Sequence, residues 1–396
     1  MSGGAATERL YYTDSYLEEF TARVVDRADG GRRVYLDRTA FYPTSGGQPN
    51  DTGIIAASNV VDVIDEGDRI AHLLDAPLDE DEVRGRIYWT RRFDHMQQHT
   101  GQHLLSAVFE DLVGARTVSV HFGEESSTLD LETDALPAKS LDEAVERANL
   151  IVVENRPVSV TFEDAATVTG LRKAVDRTGE LRVIGIADLD RSACGGTHVR
   201  STGEIGAILL RGIERVRKSI RVEFVCGRRA VARARADYLA LRDVAATLST
   251  SLDSVGGVAK AQAAHAKETE QARRRLERDL ARYRSAEMHA AATPHGDGVK
   301  LVVVEDSGET MDQLRVLAQA MLDRERVVFV GATADGALLV AASEDSGHDA
   351  GKLLREALSA VGGKGGGSPR LAQGSTAAGK TADAIRFIRG VPGRGR

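Results

Sequence analysis

The sequence predicts an α+β protein of four consecutive parts: an N-terminal small β-barrel, a central α/β domain, a helical hairpin and a C-terminal small α/β domain. Three observations predict it. The first 90 residues hold strand-sized runs separated by turn signals. Helical spacing of apolar residues begins just after Trp89. Strands and helices alternate again after an all-helical stretch that ends near Ala292. The parts are expected at 1–90, 91–227, 228–293 and 294–396.

In the first part, TARVVD and RRVYLD flank Ala28-Asp29-Gly30-Gly31, a hairpin signal. NVVDVID and RIAHLL flank Glu66-Gly67-Asp68, a second hairpin, and EVRGRIYW adds a strand. Short strands at this spacing suit a barrel or a curled sheet. The second part opens with FDHMQQHTGQHLLSAVFEDLV, in which Met96, Leu104, Val108 and Leu112 lie near helical spacing and Gly114 is a stop. VSVHFG and STLDLE are strand-like. SLDEAVERANLIVVENRP reads as an amphipathic helix with Ser140 as N-cap and Glu143 completing a capping box. PVSVTFED, LRVIGIADL, AILLRGIERV and SIRVEFVCG are strands.

From Arg228 the pattern is helical, broken at Asp253-Ser254-Val255-Gly256-Gly257, and predicts two antiparallel helices. The second carries a thin, Ala-rich apolar stripe, which suits a spacer arm or a homodimer contact. In the last part VKLVVVED, RVVFVG and ALLVAAS are strands, while TMDQLRVLAQAMLDRE and DAGKLLREALSAV are helices. A glycine-rich segment then precedes a short helix from Thr381 to Gly390.

Composition excludes several classes. With 42% hydrophobic and 28% charged residues the 396-residue chain is ordinary for a globular protein. A net charge of −7 argues against a wholly basic nucleic-acid binder but allows a local basic groove. Two cysteines cannot make a disulfide framework, and a reduced thiol fits the cytoplasm. MSGGAATERLYYTDSYLEEF has no apolar core of a signal peptide, and no run reaches the roughly 18 apolar residues of a membrane span, so no membrane partner is expected.

Two residue pairs carry the most chemistry. His99 and His103 in QQHTGQH stand at i and i+4, on one helix face. Cys194 and His198 in SACGGTHV share that spacing beside two glycines. Together they offer four N/S ligands, a set that suits one tetrahedral Zn²⁺ per chain. His95, one turn back, is a competing ligand. HTGQH lacks the glutamate of the H-E-x-x-H metalloprotease pattern. A four-ligand site is as compatible with a structural ion as with a catalytic one. Asp188, Asp190, Glu204 and Arg221 lie near the second pair; they read as surface charges, although a carboxylate there could orient a ligating histidine.

Two further segments stand out. Thr39 to Gly53, TAFYPTSGGQPNDTG, crowds hydrogen-bonding groups onto a glycine-bearing loop. Thr39, Gln48 and the amides of Gly46 and Gly47 are candidates to hold a small polar substrate and its acyl carbonyl. Gly362 to Gly374, GGKGGGSPRLAQG, reads either as a linker or as a backbone-binding loop. Its surroundings are basic: Lys364, Arg370, Lys380, Arg386, Arg389, Arg394 and Arg396 face only Asp383. AAGKT lacks the context of a P-loop, so ATP binding is not expected.

With these segments in place the chain resembles the AlaX family of free-standing alanyl-tRNA editing proteins, in its long form. TAFYPTSGGQPNDTG is similar to the family's glycine loop, HMQQHTGQHLLS and CGGTHVRSTGEIG to its zinc half-sites, and GGKGGGSPRLAQG to the glycine motif of the DHH-associated C-terminal domain. Lys364 departs from a run that is usually all glycine, and Thr44-Ser45 stands where relatives vary. The resemblance implies hydrolysis of tRNA-Ala mischarged with serine, with glycine as a further candidate. It assigns zinc to His99, His103, Cys194 and His198, hydroxyl recognition to Thr39, and a place near the substrate to Gln48. It also implies tRNA contacts at Lys364, Arg370 and Gln373. His95 and Asp51 are candidate general bases. The alternatives are a zinc-stabilised tRNA-binding module without hydrolysis, or editing of another mischarged tRNA.

Overall fold

A computed structural model describes residues 6–305, 308–377 and 379–390; Arg394 and Arg396 of the basic set lie outside the described residues. The chain divides into two compact units between Asp243 and Val244.

In the first unit, six strands close into a barrel in the order Glu19–Ala28, Arg33–Leu36, Ile70–Leu74, Ser58–Asp65, Gly53–Ile55 and Glu82–Ile87. Both expected hairpins form as antiparallel pairs. Alternation drives closure: in Glu82–Ile87 every second residue is buried, and Val83 and Ile87 join Phe20, Leu36, Phe41 and Ile55 in the barrel core.

The chain leaves the barrel into α1, Trp89–Val113, which ends at Gly114 with φ 65°. That is a left-handed cap only glycine adopts without strain. Gly101 sits mid-helix because a Cβ there would lie 2.3 Å from the Cys226 sulfur. Met96, Leu104, Leu105, Val108 and Phe109 of α1 pack into one core with Leu129, Ile151, Ile205, Val222 and Phe224. That core lies among α1, α2 (Ala138–Glu154) and a four-stranded sheet ordered Ile208–Val216, Ser219–Cys226, Ser127–Leu131, Thr117–Phe122. The expected cap of α2 is corrected. Ser140 lies inside the first turn, and the N-cap is Pro137, with no side-chain cap bond. Ala138 and Lys139 are good helix formers, and the proline ring presets the entry at φ −61°, so the helix starts earlier than the serine signal suggested.

A second sheet, Val158–Asp164, Glu180–Ile186, Asp190–Ala193, is antiparallel throughout. Its last strand delivers the chain into CGGTH. Then α3, Gly227–Thr247, runs across the division between units.

The second unit takes in the end of α3 and then α4, Val255–Ala291. Gly256 and Gly257 were expected in the break but lie in its first turn, because the long run of helix formers behind them extends the helix backward. The sheet order is Lys300–Val304, Val327–Ala332, Ala337–Ala342, Leu371–Ser375, Lys364–Gly367, with only the first pair parallel. Period-two burial splits its core. Phe329, Leu339 and Ala341 face α4 and α5 (Met311–Met321). Val328, Val330, Leu338 and Val340 face α6 (Ala350–Val361) and α7 (Thr381–Arg389). The result is a three-layer arrangement.

The glycine-rich segment is part of this sheet. Lys364–Gly367 and Leu371–Ser375 form a hairpin whose glycines are required by packing. A Cβ at Gly365 would lie 2.6 Å from Leu358, at Gly374 2.4 Å from Leu358, and at Gly367 2.4 Å from the Ala372 backbone. Gly366 alone of the run at 365–367 has open space. Among the described residues, no helix is long and apolar enough to cross a membrane.

Candidate metal centre

His99 and His103 project from one face of α1, as their spacing predicts, with ring centroids 5.3 Å apart. Cys194 and His198 come from the loop after Asp190–Ala193. The ligand atoms of all four lie within 4.8 Å of one another. Cys194 Sγ is 3.4 Å from His99 Nε2 and 3.3 Å from His198 Nε2. A tetrahedron built from Zn–N and Zn–S bonds of about 2.0–2.3 Å has edges of roughly 3.5 Å, so these separations match an ion's coordination shell.

The other ring nitrogens decide which atoms face the ion. His99 Nδ1–H donates to Gln48 Oε1 at 2.8 Å, and that oxygen also accepts the Thr197 amide N–H at 3.2 Å. The Gln48 amide Nε2 donates to Thr197 Oγ1. His103 Nδ1–H donates to Asp190 Oδ2 at 2.9 Å. His198 Nδ1 meets Thr100 Oγ1 at 3.1 Å. With every Nδ1 engaged, the Nε2 atoms are left for a metal, the usual device for fixing a ligand tautomer.

Of the two readings open for Asp190, a surface charge or a carboxylate orienting a ligating histidine, the second is found: it is fully buried and holds His103, Arg172 Nε at 2.7 Å and Ser192 Oγ at 3.0 Å. Nearness to the second pair marks the group, but nothing local singles out Asp190 from its neighbours, because its partner lies 87 residues away. Of its neighbours in that group, Glu204 bonds Tyr16, Arg221 pairs with Asp130, and the Asp188 carbonyl accepts from Arg156.

Electrostatics favour a cation. Burial works to raise the Cys194 thiol, but the His99 and His198 imidazoles outweigh it and hold it well below its ordinary value. Burial opposes charge on His103, yet Asp190 and Cys194 lift it to about 9. Metal binding therefore expels a proton from this site. Burial beside like charges drops His198 to about 3.

The glycine loop is locked against the helix that carries the histidines. Gly46 and Gly47, at φ 56° and 86°, make the reverse turn that brings Ser45 and Gln48 into mutual backbone bonds and turns Gln48 inward. Arg92 of α1 and Asp51 form a fully buried ion pair; Arg92 also donates to the Ser15 and Ala40 carbonyls, and Asp51 accepts the Tyr42 amide N–H. This corrects Asp51 as a general base, since both its oxygens are committed to structure. His95 is buried and lies outside the ligand cluster; desolvation and nearby arginines depress it to about 3, so it is neutral.

Gln48 is thus the loop residue that reaches the ligands. Thr39 is wholly buried elsewhere in the loop's base. Its Oγ1 lies 2.8 Å from His72 Nε2 and accepts the Phe41 amide N–H. His72 Nδ1 faces the Val34 carbonyl, which makes Nε2 the acceptor of the threonine proton.

Three relatives bear on this geometry. The alanyl-tRNA editing protein AlaX-L of Pyrococcus horikoshii is 29% identical over 93% of this chain and 94% of its own length. AlaX-M of Methanosarcina acetivorans, also named as an alanyl-tRNA editing protein, is 36% identical over 54% of this chain and 96% of its own. The chain belongs to the alanyl-tRNA editing protein family. Consistent with membership, residues 181–222 match the threonyl and alanyl tRNA synthetase second additional domain, which includes Cys194 and His198. Residues 298–391 match the DHHA1 domain. An alanine–tRNA ligase of Pyrobaculum neutrophilum is 33% identical over 93% of this chain but only 42% of its own length.

Proposed function

We propose that this alanyl-tRNA editing family member is a trans-editing hydrolase, cleaving the ester of tRNA-Ala mischarged with serine, with glycine as a second candidate, and sparing Ala-tRNA-Ala. The observation that carries the reading is the His99, His103, Cys194, His198 cluster bonded directly to Gln48 of the glycine loop. Zinc fits the donor set: three imidazoles with Nε2 free and one thiol of depressed pKa. When bound, it supplies Lewis-acid polarisation beside the scissile ester. The chain's own residues do the rest. Asp190 and Gln48 hold two imidazoles in one tautomer, and the exposed Gly46-Gly47 turn is the one that delivers Gln48 to them. Lys364 and Arg370, both exposed on the C-terminal hairpin, supply phosphate contacts. Gln373 joins them through its amide N–H₂, since Oε1 already accepts from Arg315.

Selectivity needs a group that demands a hydroxyl, because apolar walls reject an added hydroxyl poorly. Thr39 fills that role on this reading, through the oxygen lone pair left over or by exchanging its bond to His72. Deacylation of Ser-, Gly- and Ala-tRNA-Ala, with metal analysis of the same protein, tests the proposal. Zinc-dependent turnover of Ser-tRNA-Ala is expected, abolished together with metal by His103→Ala. Undiminished hydrolysis by metal-free protein would defeat it. Thr39→Val is expected to erode the serine-over-alanine ratio, and an unaltered ratio removes Thr39 from the role.

A further inference from the structure

Arg182 breaks a rule that the rest of its unit obeys. The buried or nearly buried guanidinium groups of Arg92, Arg172 and Arg229 each face a carboxylate: Asp51, Asp190 and Asp94. Arg182 is only 8% exposed, yet its bonds go to neutral backbone carbonyls. Nε donates to the Tyr12 carbonyl at 2.9 Å, and Nη1 donates to those of Cys194 and Gly196 at 2.7 and 2.8 Å. Its Nη2 is buried with no partner. The electrostatic support for this cation comes from the Cys194 thiolate, whose charge a bound metal would take up, and an unmade hydrogen bond at a buried charged donor is costly. Burial accordingly depresses Arg182 below the ordinary arginine value.

The surroundings say what kind of anion would complete it. Arg182 Nη1 holds two carbonyls within the ligand loop, so the guanidinium lies beside the metal centre. The partly exposed Tyr12 ring lies 5.5 Å from the Arg182 Cζ and 5.6 Å from that of Arg9. Arg9 is already paired with Asp65, which leaves Arg182 as the member of the pair with an unmade hydrogen bond. A π-face next to a free guanidinium N–H is the composition of a nucleotide subsite, with the ring for a base or ribose and the fork for a phosphate.

We propose that Arg182, with Tyr12, is the receptor for the phosphate on the 5′ side of the nucleoside whose ester is hydrolysed. The inference rests on the deacylase reading above and adds a contact to it. Nη2 is buried, so on this proposal the phosphate reaches it by displacing the partly exposed Tyr12 ring and takes the hydrogen bond that Nη2 lacks. Binding there sets the reach of the ester to the metal centre through a single ribose.

The probes are AMP and adenosine, titrated calorimetrically into metal-loaded wild-type protein, Arg182→Gln and Arg182→Lys, with metal content measured on each. AMP is expected to bind wild type about tenfold more tightly than adenosine, about 1.4 kcal/mol. Arg182→Gln is expected to bind the two alike. Arg182→Lys keeps the charge but not the fork, and serves if the glutamine variant fails to fold; its AMP affinity is expected to fall several-fold while adenosine is unchanged. Equal binding of the two probes to wild type, or binding of neither, overturns the proposal. So does a preference for AMP that survives in the variants, or a preference lost only in step with metal. Because the readout is binding, an intact AMP preference without Ser-tRNA-Ala hydrolysis would sink the deacylase reading and leave the phosphate site standing.

Discussion

Substituting alanine for Gly196 tests the metal centre at its tightest point. The added Cβ would lie 2.1 Å from His99 Cε1, 2.4 Å from His99 Nδ1 and 3.1 Å from Gln48 Oε1, where ordinary contact is 3.4–4 Å. The loop cannot retreat easily, because Arg182 grips the Gly196 carbonyl and the Gly196 amide N–H donates to Cys194 Sγ. His99 cannot retreat without leaving Gln48 or the ligand cluster. Overpacking of this kind costs about 1–3 kcal/mol. Disturbing the bond that orients a ligand weakens metal binding about 10–100-fold. The neighbouring glycine is the control: a Cβ at Gly195 meets nothing nearer than the Tyr12 hydroxyl at 3.6 Å, an ordinary contact. Chelator competition should therefore place Gly196→Ala at least tenfold below wild type and Gly195→Ala close to it. Equal affinities for the two variants would refute the geometry of the loop.

Other consequences can be checked in the same protein. Asp51→Asn leaves Arg92 charged and buried without its partner, so denaturant unfolding of the first unit should show a loss of about 3–5 kcal/mol; a slowed reaction with unchanged stability would restore Asp51 as a base. Burial holds His72 near 4 against an ordinary 6.5, so the unfolded chain takes up its proton first. Stability is then expected to fall as pH drops from about 6.5 towards 4 and to be insensitive to His72 below that, a change on the order of 3 kcal/mol. His72→Gln should flatten the difference between unfolding at pH 7 and pH 4; an identical difference would exclude His72 as its source. In the C-terminal hairpin Gly365→Ala should destabilise the second unit, whereas Gly366→Ala should leave stability unchanged. Loss of stability in Gly366→Ala would show that the hairpin packs differently.

What was legible in the sequence was local. Period-two runs and their turn residues specify the barrel hairpins, and the i, i+4 spacing places His99 and His103 on one face, because neighbours along a strand or helix have their directions set by backbone geometry. The Cys194 and His198 pair was legible for its residue types. Ser140 misled, since capping signals compete with the propensities of the residues beside them. Tertiary structure alone decided the contacts that make these residues a site: Gln48 to His99, Asp190 to His103, Asp51 to Arg92, and Arg182 to the carbonyls at 194 and 196. The first three join segments that approach only after separate sheets and α1 have packed; the last forms within one sheet, across its hairpin of strands, and stays hidden because a carbonyl acceptor has no signature in the residue that carries it. For the same reason the glycines at 365, 367 and 374 look alike in sequence to the one at 366, although the Leu358 side chain and the facing strand leave room for a side chain only at the last.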